Sequence, residues 1–475
     1  MNSIAPFFPY QVFRAYDIRG RTTQLDAKLI AAIAQAFAQL FKLRQQHQIV
    51  LGYDARLSSP TYAKIIRDVL ASEFEVIELG CCSTPQMYFA AHCYQGNGVM
   101  VTASHNPKTD NGLKWVIQGE PPTPEAIQLI GQTALQAFVQ TKKPLPVDPV
   151  AVHQFLALSI DAYEQFILKD IHLDQPVKVV IDGLNGSAGF AAKRILQKFS
   201  NVEVVALRCE PNGNFPDHAP DPSVACHLTR LQQKVIEQQA NLGIALDGDG
   251  DRVVLLDEQG RIISADQMLA LLAEICLPEH PDREVVFDVK CSTMVRQSIE
   301  SAGGTAKMLR TGSSFLRRYI QYSHGQAILG GEYAGHYVFN DGRGLGFDDG
   351  LYAALRVMEY MNQTKRSLSS LMGRYPQRYY TEDTYISTRE TNPDLVLKEL
   401  AQRSEEFDAE LSKIDGVRLD FSHGFGIMRA SNTGDFFTVR FDADSQARLN
   451  TIRQTFVTML CDRYPLIAQD ISNIQ

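Results

Sequence analysis

The sequence predicts an α/β protein built from three similar α/β domains and a smaller α+β C-terminal domain. Three observations lead there. An apolar strand that closes on Asp recurs three times along the chain. Each copy is followed by helix-like segments and two further strands, the spacing of α/β units with largely parallel or mixed sheets. Past Pro376 the pattern changes, and at 475 residues the chain is too long for one hydrophobic core.

The first strands are Ile49-Val50-Leu51-Gly52-Tyr53-Asp54, Val179-Val180-Ile181-Asp182-Gly183 and Val285-Val286-Phe287-Asp288. Second strands are expected over residues 74–79, 202–207 and 306–309. A third strand in each unit runs into a polar loop, at 102–106, 247–252 and 332–336. Loops at the carboxyl ends of such strands are where α/β folds place ligands. Pro144, Pro146 and Pro149 punctuate the chain near residue 150, and residues 257–260 form a turn. These marks divide the chain into domains at 1–150, 151–258, 259–374 and 375–475. The last domain reads as a strand over 379–388, a charged helix over 393–411, and strands around Val417, Ile427 and Phe437.

Composition is that of an ordinary globular protein, 45% apolar and 21% charged. A net charge of −8 argues against nucleic acid as a partner, because phosphate backbones demand clustered Lys and Arg. Small anionic substrates need only a local basic pocket. No run of about 18 apolar residues is present, so no membrane partner is expected. Residues 1–10 lack a basic stretch followed by an apolar one, so no secretory signal is expected. The eight cysteines form no CxxC pair and no zinc spacing. Reduced thiols in a cytoplasmic protein are the expectation.

The run Asp247-Gly248-Asp249-Gly250-Asp251-Arg252 carries the strongest chemical signal. Three carboxylates at alternate positions can converge on one hard cation, and glycine lets the backbone curl around it. Arg252 adds a donor fork suited to a phosphate. An EF-hand also opens on alternating acids, but Arg252 stands where its glycine is required, and the flanks read as strands. A haloacid-dehalogenase-type phosphatase also follows a strand with Asp-x-Asp, yet Thr or Val is expected there where Asp251 stands. A solvated acidic turn is the bland alternative, and three crowded carboxylates would repel one another in it.

Thr102-Ala103-Ser104-His105-Asn106-Pro107 follows the strand-like Val99-Met100-Val101. Ser104 is a hydroxyl nucleophile or phosphate carrier, although Ser and Asn also favour turns for local reasons. No G-x-S-x-G elbow surrounds it. Its placement is the functional signal, since Ser104 and the acidic loop end equivalent strands of two repeated units. Lys114 is a candidate for proton transfer, with a surface lysine as the alternative.

Together these segments resemble the α-D-phosphohexomutase family, in its bacterial phosphomannomutase/phosphoglucomutase branch. Phe13-Arg14-Ala15-Tyr16-Asp17-Ile18-Arg19-Gly20, Asp288-Val289-Lys290-Cys291, Gly331-Glu332-Tyr333-Ala334-Gly335-His336 and Arg429-Ala430-Ser431-Asn432-Thr433-Gly434 complete the match in family order. The resemblance implies four domains around a central active-site cleft and a phosphorylated Ser104. It implies Mg²⁺ held by that phosphoserine with Asp247, Asp249 and Asp251. Arg252, Arg19, Tyr16 and His105 would lie beside it, and Lys114 and His336 would transfer protons. Glu332 would recognise sugar hydroxyls with Lys290 nearby, and Arg429, Ser431, Asn432 and Thr433 would clamp the non-reacting phosphate. The implied reaction interconverts hexose 1- and 6-phosphates of mannose or glucose through a hexose 1,6-bisphosphate, in a monomer or homodimer.

Two positions depart from the pattern. Ala334 stands where the branch has a hydroxyl, and Ser313 stands where it commonly shows His. Both fall in the specificity domain, so the reaction type is untouched and the sugar is left open. A phosphoglucosamine mutase is one alternative. A metal-dependent phosphatase or a phosphosugar-binding protein is another.

Overall fold

The computed structural model describes residues 8–140, 152–154, 156–431 and 434–474. The expected boundary at 150/151 lies outside the described residues, as do Asn432 and Thr433 of the expected phosphate clamp. The chain forms two compact units. One runs to Ser264 and adds Arg317–Gly325 and Ala334–Leu371; the other holds Ala265–Leu316, Gln326–Tyr333 and the chain from Met372 onward.

The first unit contains two sheets of one design. In the first, the strands Glu75–Cys81 and Gly98–Val101 pair in parallel on either side of Gln48–Tyr53. Asp110–Val116 then runs antiparallel to Gly98–Val101, and Ile18–Arg21 antiparallel to Asp110–Val116. In the second, Val202–Leu207 and Leu242–Leu246 flank Val177–Asp182 in parallel, and Val253–Asp257 closes antiparallel on Leu242–Leu246. The second unit repeats the parallel core, with Thr305–Leu309 and Ala327–Gly331 flanking Glu284–Asp288. In all three cores the third strand lies beside the first, so its carboxyl end opens at the switch in strand order.

Helices form where apolar residues recur at helical spacing. Ala27–Leu43 starts at Asp26, whose carboxylate accepts from Leu29 N at 2.8 Å, and it buries Leu29, Ile30, Ile33, Phe37 and Phe41. Phe37 meets Trp115 edge-on at 5.1 Å between ring centres, which pins this helix to the sheet. Helices follow the first strand of each core at Ser59–Leu70, Ala188–Leu196 and Thr293–Ser301.

The C-terminal part of the second unit is an antiparallel sheet of Tyr379–Tyr380, Phe436–Ala443, Gly424–Ala430, Val417–Phe421 and Glu410–Ser412, with Thr384–Ser387 also on Phe436–Ala443. Val439, Phe441, Leu449 and Phe456 pack its helices onto one face. Phe425 and Ile427 pack with Val289 in a separate cluster. The helix expected over 393–411 is shorter, Pro393–Arg403. Phe407, Ala409 and Leu411 point to the core in alternation, and Glu410–Ser412 pairs with the next strand. That is period two, so the chain there is extended. The run 379–388 is likewise broken, between Tyr380 and Thr384, where Asp383 leaves the sheet to meet Lys290 at 2.6 Å.

No helix among the described residues is long and apolar enough to cross a membrane, and all eight cysteines are free.

Asp349 begins the helix Gly350–Thr364, accepting from Tyr352 N at 3.0 Å and from the Tyr163 hydroxyl at 2.7 Å. Burial, with Asp348 alongside, pushes its carboxyl up to about 6. The folded state therefore binds more protons than the unfolded chain between the ordinary carboxyl range and pH 6, and stability falls as pH rises through that window. Asp349→Asn keeps the cap and removes the ionisation. Its melting temperature should gain on the parent's from about pH 4 to 6 and then hold constant, the full shift being worth about 3 kcal/mol. A pH-independent offset would reject this account.

Candidate active site

Ser104 sits three residues beyond the fully buried strand Gly98–Val101 and is itself 1% exposed. Its φ of +52° places a non-glycine residue in the left-handed region, which surrounding structure must over-determine. Its Oγ donates to Asp247 Oδ2 at 2.5 Å and lies 3.3 Å from His105 Nδ1. The serine and acidic loops touch through their backbones. A Cβ on Gly248 would fall 2.3 Å from the carbonyl oxygen of Ser104, so only glycine fits there.

Asp247, Asp249 and Asp251 are buried, with one carboxylate oxygen of each within 4.8 Å of the others. The Asp249 Oδ2 atom accepts from the Thr84 hydroxyl at 2.6 Å and from Lys114 Nζ at 2.8 Å. Lys114 also binds Asp251, so it is an internal counter-charge and not a surface lysine. Burial opposes its charge, but Asp249 and Asp251 hold its ammonium well above the usual lysine range. Burial, then Asp249 and Asp251, push the Asp247 carboxyl well up. Burial also acts on Asp251, yet Lys114 and His336 hold it well below the carboxylate range.

Asp249 Oδ1 is buried with no hydrogen-bond partner. An orphaned carboxylate oxygen among converging acids, beside a serine hydroxyl, is an all-oxygen donor set that fits a hard divalent cation.

Arg252 and His336 pair across an isolated bridge, and Arg252 Nε lies 3.2 Å from His336 Nε2. The same nitrogen is 3.3 Å from Asp251 Oδ1 and 3.9 Å from Asp348 Oδ2. Arg252 asks for an unprotonated Nε2 and Asp251 for a protonated one. A ring held between a donor and acceptors is placed to give or take a proton. Burial, followed by the charges of Arg252 and Arg19, drives the His105 imidazole well below its usual range, so it stays neutral. Arg19 pairs with Asp17 at 2.6 Å and donates to Asn106 Oδ1 at 2.9 Å, on the serine loop. Tyr16 is 39% exposed on the segment leading to Arg19.

The remaining expected residues belong to the second unit. Glu332 accepts from Gly312 N at 2.5 Å, and Arg429 pairs with Asp415 at 2.9 Å. Thr311 joins them, since its N–H donates to Asp415 at 3.2 Å and its hydroxyl to Asp288 at 2.9 Å. Lys290 is held by Asp383, and burial is overcome by Asp383 and Asp288, which keep its ammonium above the usual range. Ser431 follows Arg429 in the same segment, at the end of the strand Gly424–Ala430. Within this unit Glu332, Lys290 and Arg429 thus gather on the segment Thr311-Gly312, Glu332 through Gly312 N, Lys290 through the charge of Asp288 and Arg429 through Asp415.

Sequence reasoning missed Thr84, Asp348, Asp383, Asp415 and Arg56. For one group the signal was present: the Asp closing each first strand. Asp54 holds Arg56 at 3.0 Å, Asp182 holds Arg208 Nε at 3.0 Å, and Asp288 holds Thr311. The repeated carboxylate anchors a neighbouring segment in each of the three α/β cores.

Family models described as phosphoglucomutase/phosphomannomutase α/β/α domains I, II and III match residues 10–138, 159–260 and 264–379. A phosphomannomutase/phosphoglucomutase of Pseudomonas putida is 36% identical over 95% of this chain and 96% of its own length. A phosphoglucomutase of Neisseria gonorrhoeae is 37% identical over 94% of this chain and 96% of its own. A phosphoglucomutase/phosphomannomutase family protein of Burkholderia thailandensis superposes with a TM-score of 0.88 at 31% identity, covering 98% of this chain and all of that one.

Proposed function

The chain belongs to the phosphoglucomutase/phosphomannomutase family, and from that premise we propose that Ser104 carries the phosphoryl group exchanged between the 1- and 6-positions of a hexose phosphate. The observation that carries this reading is the Ser104 hydroxyl on Asp247 Oδ2 at 2.5 Å, inside a buried set of three carboxylates.

Asp247, Asp249 and Asp251 would hold Mg²⁺ together with a phosphate oxygen on Ser104. A bound Mg²⁺ would neutralise charge on the transferring group as a Lewis acid. Phosphoserine 104 gives its phosphoryl group to the free hydroxyl of a hexose phosphate, forming a hexose 1,6-bisphosphate. The other phosphate then returns to Ser104, so every phosphoryl group is conserved across the cycle. His336, between Arg252 and Asp251, takes the proton of the attacking sugar hydroxyl, and the Lys114 ammonium gives a proton to the departing Ser104 oxygen, the two roles reversing in the return step. Lys114, held cationic by two carboxylates, and Arg252 stabilise charge on the transferring oxygens.

Glu332 is the candidate for sugar-hydroxyl contacts and Lys290 lies in the same linked group. Arg429 and Ser431 supply a guanidinium and a hydroxyl to the far phosphate. Asn432 and Thr433 are assigned to that clamp on the resemblance. The division 1–150, 151–258, 259–374 and 375–475 is retained as the domain proposal.

Incubation with mannose, glucose and glucosamine 1-phosphates decides the reading. The expected result is conversion of mannose or glucose 1-phosphate to the 6-phosphate, stimulated by Mg²⁺ and by catalytic hexose 1,6-bisphosphate. Release of inorganic phosphate would mark a phosphatase instead, and the absence of turnover a binding protein.

A further inference from the structure

We propose that Arg56 is the positioning residue for Ser104, holding its backbone in the left-handed conformation without touching substrate. The inference rests on Ser104 being the phosphoryl carrier.

Arg56 is 1% exposed. A guanidinium has five N–H donors in one plane, and all five find acceptors here. Nε donates to Asp54 Oδ2 at 3.0 Å. One terminal nitrogen donates to the carbonyls of Pro107 and Asp110 at 2.7 and 3.0 Å. The other donates to the carbonyls of Ser104 and Asn106, each at 2.7 Å. Four donors therefore gather the serine loop around a single side chain. With every donor used inside the protein, none is left for a ligand.

The partner carboxylate completes the grip. Asp54 Oδ2 also accepts from the Thr102 hydroxyl at 2.8 Å, and that hydroxyl oxygen accepts from Ser104 N at 2.8 Å. The N–H and the C=O of Ser104 are thus both held by one ion pair, the first through Thr102 and the second directly. Fixing both groups of a residue fixes its φ and ψ, which accounts for a serine at φ +52°. Phe215 covers the guanidinium at 5.4 Å, and a Cβ on Gly213 would fall 2.3 Å from the Ala55 carbonyl oxygen. The segment that walls in Arg56 thereby lies directly against its backbone.

Released from this grip, the loop relaxes toward negative φ and Ser104 Oγ leaves the acidic cluster. Reacting groups displaced by about 1 Å lose on the order of 10²-fold in rate. Lysine cannot replace Arg56, since its three donors radiate from a point and do not form a planar fork.

The test uses Arg56→Lys and Arg56→Met in the full chain, assayed beside the parent on a hexose 1-phosphate. Intact mass follows the phosphoserine, and its loss to water is timed without sugar. The expected result for Arg56→Lys is a kcat lower by about 10²-fold, with KM within about threefold. Its melting temperature should stay near the parent's, and phosphoserine should be lost to water faster relative to transfer. A folded variant with kcat within about threefold of the parent overturns the proposal. So does failure of both variants to fold, which assigns Arg56 to stability alone. A parent that does not isomerise the sugar phosphate refutes the mutase reading itself, a result distinct from either.

Discussion

Ser104→Ala should abolish mutase turnover, by about 10⁴-fold or more, and remove the phosphorylated form of the protein altogether. The size follows from the hydroxyl being the group that accepts and donates phosphoryl, so its loss removes a step and does not weaken a contact. The change deletes one oxygen at a residue 1% exposed, whose backbone groups are held by Thr102 and Arg56. The fold should persist, since alanine in the left-handed region costs about what serine does. One acceptor changes state: Asp247 Oδ2 loses its 2.5 Å donor. Intact mass after incubation with hexose 1,6-bisphosphate gives the first readout and coupled turnover the second. A variant that keeps a tenth of the parent's rate, or gains one phosphoryl mass, sinks the assignment.

Asp249→Asn should weaken Mg²⁺ dependence by about 10²-fold while leaving the chain folded. The substitution preserves shape and removes one of three charges whose oxygens lie within 4.8 Å. It also replaces either the orphaned Oδ1 or the oxygen bound by Thr84 and Lys114 with an amide nitrogen. A hard cation prefers charged oxygen to an amide nitrogen, which offers it nothing. Without metal the variant should be no less stable than the parent, because repulsion among buried carboxylates is relieved. The melting temperature against Mg²⁺ concentration separates binding from turnover: the parent gains stability as metal binds and the variant needs far more. Equal midpoints for the two proteins would remove Asp249 from the metal site.

The legible parts of this protein share a property. The repeated strand ending in Asp, the alternating acids and the serine loop are each contained in a handful of neighbouring residues, and their chemistry follows from residue type. The strand–helix order of the three cores was readable for the same reason. Where a segment satisfied two patterns, the reading failed. Residues 404–411 are charged and helix-compatible, yet Phe407, Ala409 and Leu411 find the core at strand spacing. The role of Arg56 was not readable because four of its five acceptors are backbone carbonyls 48 to 54 residues away, and only Asp54 is close in sequence.

By itself the sequence determined the kind of chemistry available: a serine and three acids at the ends of equivalent strands, an arginine beside them, and a mixed hydroxyl and guanidinium loop near the C-terminus. Only the tertiary structure decided how those groups are used. It put Lys114 between Asp249 and Asp251, aimed the Ser104 hydroxyl at Asp247, and set His336 between Arg252 and Asp251. It also tied Glu332 and Arg429 to the same short segment, Glu332 through Gly312 N and Arg429 through Asp415, which accepts from Thr311 N. The physical reason is that residue type and period are local, whereas protonation and aim depend on burial and on charges brought together from distant parts of the chain.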